Sequence, residues 1–138
     1  MSEIIRASLS GSFHRDAVGL QRAYDELARN QCQILSPHRL NFEDNTTLFV
    51  RDVAERHQSA DSLEAHHLLA ISQSNFLWVH APDGYIGLSA AMEVGYARAL
   101  GIPVFASSQV EDQVLASLIV KVDSVFMAIQ NLCSYPRS

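Results

Sequence analysis

The chain alternates short apolar runs with longer amphipathic ones, and that rhythm sets the expected architecture. Ile4 to Leu9 reads as a first strand. Over Arg15 to Asn30, Val18, Leu20, Tyr24 and Leu27 build much of a helical apolar stripe. Cys32 to Leu35 is a short strand that stops at Ser36-Pro37, since proline restricts the residue before it. His38 to Asn45 is a polar loop. Thr46 or Thr47 caps a helix running to about Gln58, and Asp61 caps another with Leu63, His67, Leu68 and Ile71 turned inward. Phe76-Leu77-Trp78-Val79, extended to His80, is the central buried strand, with Trp78 assigned to the core. Ser89 to Leu100 is the central helix, ended by Gly101 as its C′ residue. Pro103 to Ala106 begins a strand. Gln113 to Asn131 carries a short helix, a strand near Ile119 to Val122, and a helix from Ser124. Such a βαβα order predicts an α/β fold, a mainly parallel sheet with helices on both faces and right-handed connections. The 138 residues suit a single domain over positions 1–138 with a real core.

Two strand-to-helix loops carry the candidate chemistry. Asp83 to Gly101 (DGYIGLSAAMEVGYARALG) follows the central strand and opens the central helix. Glu93 is its one acidic helix residue, set among Ala90, Ala91, Met92, Val94 and Ala97. With Ser89 as N-cap the capping-box position is Met92, so capping does not explain Glu93. At helical spacing Glu93 shares a mostly apolar face with Ser89, Tyr96, Ala97 and Leu100, which predicts a partly buried carboxylate aimed at the loop. The second loop, Ser10-Gly11-Ser12-Phe13-His14-Arg15, follows the first strand. Gly11 permits a close backbone turn, Ser10 and Ser12 supply hydroxyls, and Arg15 is placed to close on a phosphate. On local grounds the same stretch is equally a plain turn with a serine N-cap. In a parallel sheet both loops open on one edge, the usual place for a polar ligand. Ser10, Gly11, Ser12, Phe13, Arg15, Asp83, Gly84, Tyr85, Gly87, Ser89 and Glu93 are therefore expected to line one cleft, with Tyr85 and Ile86 walling a base or anchoring the loop.

Charge narrows the ligand. Apolar residues make up 48% and charged residues 18% of the chain, with a net charge of −5 and no basic run, which argues against nucleic acid as a partner. Nine of the ten cations are Arg; Lys121 is the other. Met1-Ser2-Glu3 has no basic region of a signal peptide, and no apolar run approaches the ~18 residues of a membrane span. Cys32 and Cys133 stand far apart in no metal spacing and are read as reduced thiols of a cytoplasmic protein. The six histidines are scattered, so neither a metal nor another cofactor is expected.

Together, the SGSF loop, Ser36-Pro37 after the second strand, and GYIGLSAAMEVGYARALGIPV make the chain resemble the nucleoside 2-deoxyribosyltransferase-like superfamily. That group includes the transferases and the related 2-deoxynucleoside 5-monophosphate N-glycosidases. The likeness spans about residues 4 to 122 and is strongest at Glu93, Gly95 and Ala97. It implies a flavodoxin-like or Rossmann-like three-layer sandwich with a mainly parallel five-stranded sheet, assembled as a dimer or larger homo-oligomer. It implies that Glu93 attacks the anomeric carbon of a deoxyribose, and that the SGSF loop lies near the base and sugar or near a 5-phosphate. In monophosphate-type members a serine from the segment loosely matching Ser117 comes from a neighbouring subunit.

The expected activity is cleavage or transfer at the N-glycosidic bond of a nucleoside or nucleoside 5-monophosphate. A carboxylate beneath the ring stabilises or traps an oxocarbenium-like state, while a second group handles the proton of the base. Here the chain departs from its relatives. Their aspartate on the helix before the central strand falls at or near His67, and Asn75 stands where many carry Asp at the start of that strand. No acid lies between Glu64 and Asn75. Asp83, Asp52 and Glu64 are the other acids in question; a histidine at position 67 could also do proton transfer, but His67 is read in preference as a helix residue packed at the sheet edge. Two readings from other classes stay open: a non-catalytic nucleotide-binding or sensing module that kept the pocket, and a subunit of a larger assembly joined through apolar helix faces.

Overall fold

The computed structural model describes residues 3–38 and 59–134. In chain order come β1 (Arg6–Ser10), α1 (Phe13–Arg29), β2 (Gln33–Ser36), α2 (Ala60–Ser72), β3 (Phe76–Val79), α3 (Leu88–Ala99), β4 (Val104–Ala106), α4 (Gln113–Leu118), β5 (Val120–Lys121) and α5 (Val125–Ser134), with a 3₁₀ turn at Pro82–Gly84. The helix expected between Thr46 or Thr47 and Gln58, and Asp52 within it, lie outside the described residues. The strands form one parallel sheet in the order β2-β1-β3-β4-β5. β1 and β3 are neighbours, in the register Ala7 to Phe76 through Ser10 to Val79. The chain runs outward from β1 to β2, then returns past β1 to β3. This reversal makes the carboxyl ends of β1 and β3 the switch point of the sheet, where open α/β folds bind ligands.

Strand periodicity sorts the core into two layers. Ala7, Leu9, Phe76, Trp78 and Phe105 point to one face and pack with Leu20 and Leu27 of α1 and Val125 and Ala128 of α5. Leu77, Val79, Val104 and Ala106 point to the other and pack with Ile71 of α2 and Val94 and Ala97 of α3. Helices on both faces of a parallel sheet complete the three-layer α/β sandwich. Trp78 is 2% exposed, as a core residue should be. On β1 the second face is polar. Ser8 is fully buried, but its hydroxyl pairs with Ser74 Oγ at 2.8 Å, and Ser74 Oγ donates to the Ala70 carbonyl at 2.8 Å. Ser10, two residues on, faces the same way and is likewise buried.

Caps differ from the sequence expectation in instructive ways. Ser59, not Asp61, caps α2, accepting from the Ser62 N–H at 3.2 Å; Asp61 sits in the first turn, where the helix dipole favours a carboxylate. Gly87, not Ser89, is the extended N-cap of α3, and no side chain caps that first turn. Ser89 falls one position inside the helix and is exposed. Gly101 takes the left-handed conformation (φ 77°) expected of the C′ residue. Among the described residues no helix is long and apolar enough to cross a membrane.

Candidate active site at the sheet switch point

Ser10 ends β1 and turns its side chain toward α2 and α3. Its hydroxyl donates to Glu93 Oε1 at 2.6 Å, a short charge-assisted bond. Glu93 lies in the second turn of α3 and is 6% exposed. The sequence reading expected a partly buried carboxylate aimed at the loop before α3; Glu93 is instead buried and meets Ser10 at the end of β1. His67 of α2 stands beside both groups. Its Nε2 is 3.4 Å from Glu93 Oε1 and 3.4 Å from Ser10 Oγ, while Nδ1 pairs with Ser36 Oγ at 2.6 Å. With Ser10 donating to Glu93, a proton on Nε2 lets the imidazole face two oxygens without repulsion. Ser36 ends β2, so three neighbouring elements, β2, β1 and α3, meet at one histidine.

These contacts set the charges. Burial opposes ionisation of Glu93, but the hydrogen bond and charge of His67, then hydrogen bonds from Glu64 and Ser10, outweigh it and hold the carboxyl below its usual range. Glu64, three residues before His67 on the same helix, behaves in the opposite way. Burial, then the hydrogen bond to Glu93 and the Glu93 charge, push its carboxyl up from 4.5 to about 8. One carboxyl of the pair stays charged and the other keeps its proton at neutral pH, the usual outcome for two acids sharing a site. A sign check gives a stability prediction. Between pH 4.5 and about 8 the folded chain holds a proton on Glu64 that the unfolded chain releases, so stability falls as pH rises through that window. Denaturant unfolding should show this slope, and Glu64→Gln should reduce it and gain on wild type most above about pH 8. Equal pH slopes for the two proteins would contradict the assignment.

A second pair lies near the start of α1. Ser12 is the cap there, accepting from the Arg15 N–H at 3.2 Å, so the N-cap reading of this loop accounts for Ser12. At Asp16 the backbone leaves helical geometry (φ −159°, ψ 77°), and Asp16 Oδ1 accepts from the Gly19 N–H at 2.9 Å while Oδ2 pairs with His80 Nε2 at 2.9 Å. The Gly19 N–H, then His80, lower the Asp16 carboxyl below its ordinary range. His80 follows β3, and its N–H donates to the Ser10 carbonyl at 2.8 Å. A Cβ on Gly11 would come within 2.9 Å of Leu20 Cδ1 and 3.1 Å of His80, so glycine is what lets this loop lie flat against the end of β3.

The remaining expected positions divide. Arg15 lies 4.1 Å from the centroid of the Tyr85 ring, a cation–π contact joining the two loops. Tyr85 also neighbours Gly87, whose Cβ would lie 3.4 Å from its hydroxyl. Phe13 opens α1. Asp83 is exposed, at φ 53° in the 3₁₀ turn. Gly84 is buried with φ 82°; its carbonyl accepts from the Glu111 N–H at 3.0 Å, and a Cβ there would lie 2.6 Å from the Gln109 carbonyl. Gly84 therefore shapes the turn against the segment after β4. Ser117 is exposed near the end of α4, its hydroxyl donating to the Val114 carbonyl at 2.6 Å. Cys32 is a core thiol pushed up to about 11 by burial, unsuited to nucleophilic work. Among the described residues no group of three or more His, Cys, Asp and Glu is placed to hold a metal ion.

Sequence reasoning preferred a packing role for His67 at the sheet edge over proton transfer, and it passed over Ser36 as a site residue. The available signal was the helical spacing of Glu64 and His67, which puts both on one face of α2. Pairing β2 with β1 then brings Ser36 level with Ser8.

No protein-family model matches the chain, and no curated protein matches it in sequence. Among solved structures it is similar in fold to the CMP N-glycosidase BcmB of Clostridium botulinum, with a TM-score of 0.57 at 11% identity. The superposition covers 95% of this chain and 99% of that one. At that identity the likeness shows a shared fold.

Proposed function

We propose that the chain cleaves or transfers at the N-glycosidic bond of a nucleoside or nucleoside 5-monophosphate, with Glu93 as the nucleophile. The observation that carries this reading is the Ser10–Glu93–His67 cluster at the switch point. A buried carboxylate kept ionised by an adjacent imidazole and an oriented hydroxyl is equipped to meet positive charge developing at a sugar carbon. His67 holds Glu93 charged, and Ser10 fixes the position of one of its oxygens. The Arg15–Tyr85 contact supports a substrate with a phosphate and a base: a guanidinium suits the first and an aromatic face the second. The structural neighbour's action on CMP makes CMP the first probe. The test is release of free base from cytidine, CMP, dCMP and the corresponding purine compounds, followed by chromatography. Base release from at least one supports the reading. Saturable binding of a monophosphate with no release from any would favour the non-catalytic nucleotide-binding module instead.

The chain is further proposed to work as a homo-oligomer. Leu88 is 93% exposed, and Met92, one turn on along the same face of α3, is 48% exposed. Such residues beside a polar site suit contact with a second copy. Light scattering should give at least twice the mass of one chain, and Leu88→Glu with Met92→Glu should lower it. A monomer at every concentration would contradict the proposal.

A further inference from the structure

Glu93 as nucleophile leaves one requirement unmet: a group that gives a proton to the departing base and takes one from water afterwards. His67 is engaged on both ring nitrogens, by Ser36 on one side and by Ser10 and Glu93 on the other. Asp16 and His80 pair with each other, and the Asp16 carboxylate also holds the Gly19 N–H of α1. Glu64 differs from all of these. Its Oε2 is buried and has no hydrogen-bond partner among the described residues. Glu64 stands one helical turn before His67 on α2, and the His67 ring lies 3.4 Å from Glu93. A buried carboxyl oxygen with no donor beside it favours the neutral, protonated form. Ser10 already donates to Glu93, and His67 faces it with a ring nitrogen. The proton therefore belongs on Glu64, the member of the pair whose buried oxygen has no donor.

Resting on the activity proposed above, we infer that Glu64 is the proton carrier of this site, acting from one helical turn before His67. In the first step a Glu93 oxygen bonds to the anomeric carbon as the carbon–nitrogen bond breaks, and the Glu64 proton passes to the leaving base. Glu93 becomes a neutral ester as Glu64 becomes a carboxylate, so the pair holds one negative charge throughout. In the second step Glu64 takes a proton from water, the oxygen attacks the same carbon, and the ester bond breaks. Glu93 regains its charge and Glu64 its proton. The groups facing Glu64 that bear on its titration are Glu93 from α3 and His67 from its own helix. Its raised pKa keeps the proton in place at neutral pH, which suits a general acid.

The test compares wild type, Glu64→Gln, Glu64→Asp and Glu64→Ala on CMP and on 4-nitrophenyl riboside 5-phosphate. The second probe has a leaving group that departs as a stable anion and needs no proton. Glutamine keeps the size and polarity of the side chain but transfers no proton, so it separates proton delivery from mere positioning. Glu64→Gln should lose about 10²- to 10⁴-fold on CMP, and far less on the nitrophenyl probe. Glu64→Asp should recover part of the CMP rate. The alkaline limb of the wild-type pH profile should vanish in Glu64→Gln, and infrared spectra should lose a protonated-carboxyl band. If Glu64→Gln keeps the CMP rate while Glu64→Ala loses it, Glu64 only positions Glu93 and the inference falls. Equal losses on both probes, in proteins with wild-type melting behaviour, overturn it as well. If wild type releases neither cytosine from CMP, nor 4-nitrophenolate from the second probe, nor base from the wider panel, the proposed activity itself fails, an outcome distinct from failure of Glu64 alone.

Discussion

Replacing Glu93 with glutamine should cut base release by about 10³-fold or more while leaving the fold intact. The amide has the size of the carboxyl and can still accept from Ser10, so packing in this 6% exposed position changes little. What disappears is the charge that meets the oxocarbenium-like state and the oxygen that bonds to carbon. Glu93→Ala should be equally inactive but less stable, because it also leaves Ser10 and His67 facing a void. The measurement is kcat and kcat/KM for base release from CMP, beside a denaturant melt of each variant. A Glu93→Gln protein within tenfold of wild type would remove Glu93 from the chemistry.

The second large effect is expected at His67. The imidazole supplies the largest of the contributions that keep Glu93 ionised against the cost of its burial. Without it the Glu93 carboxyl rises, because burial still opposes the charge and less remains to offset it. Loss of a hydrogen bond to a charged group is worth about 1.5–3 kcal/mol, or roughly 10- to 100-fold in rate. His67→Ala should therefore lower kcat by about that factor at neutral pH. The sign of the pH effect is distinctive: Glu93 acts when ionised, so raising its pKa moves the acid limb of the profile toward higher pH. Rates measured from acid to neutral pH would show this shift. An unmoved acid limb with a lower plateau would mean that His67 contributes something other than the charge state of Glu93.

Much of the fold was legible because strand and helix periodicities are local. Phe76 to Val79 is apolar without interruption, as a strand covered on both faces must be, and Gly101 marks the end of α3 through a conformation that glycine adopts freely. Cap positions were less so. Gly87 replaces Ser89 as the N-cap of α3 because the extended loop before the helix fixes where helical geometry starts, and the better capping side chain falls inside it. For the site, the paired loops and Glu93 were readable as features following β1 and β3. The meeting of Ser36, Ser10, His67 and Glu93 was not, since it depends on strand order. Only when β2 lies beside β1, and α2 crosses the same face as α3, do residues far apart in the chain come within hydrogen-bond reach. Glu64 illustrates the same point: its carboxyl is pushed up by burial and by the Glu93 charge, not by its neighbours in sequence.

The account rests on a covalent role for Glu93, and one measurement addresses that directly. A 2-deoxy-2-fluoroarabinosyl cytosine 5-monophosphate carries a fluorine that disfavours positive charge at the anomeric carbon and so slows breakdown of a glycosyl ester. Wild type incubated with it, quenched in acid and digested, should yield a peptide spanning Glu93 heavier by one fluorosugar phosphate, with free cytosine released in step. Cytosine release with no adduct, or an adduct on any residue other than Glu93, would contradict the account.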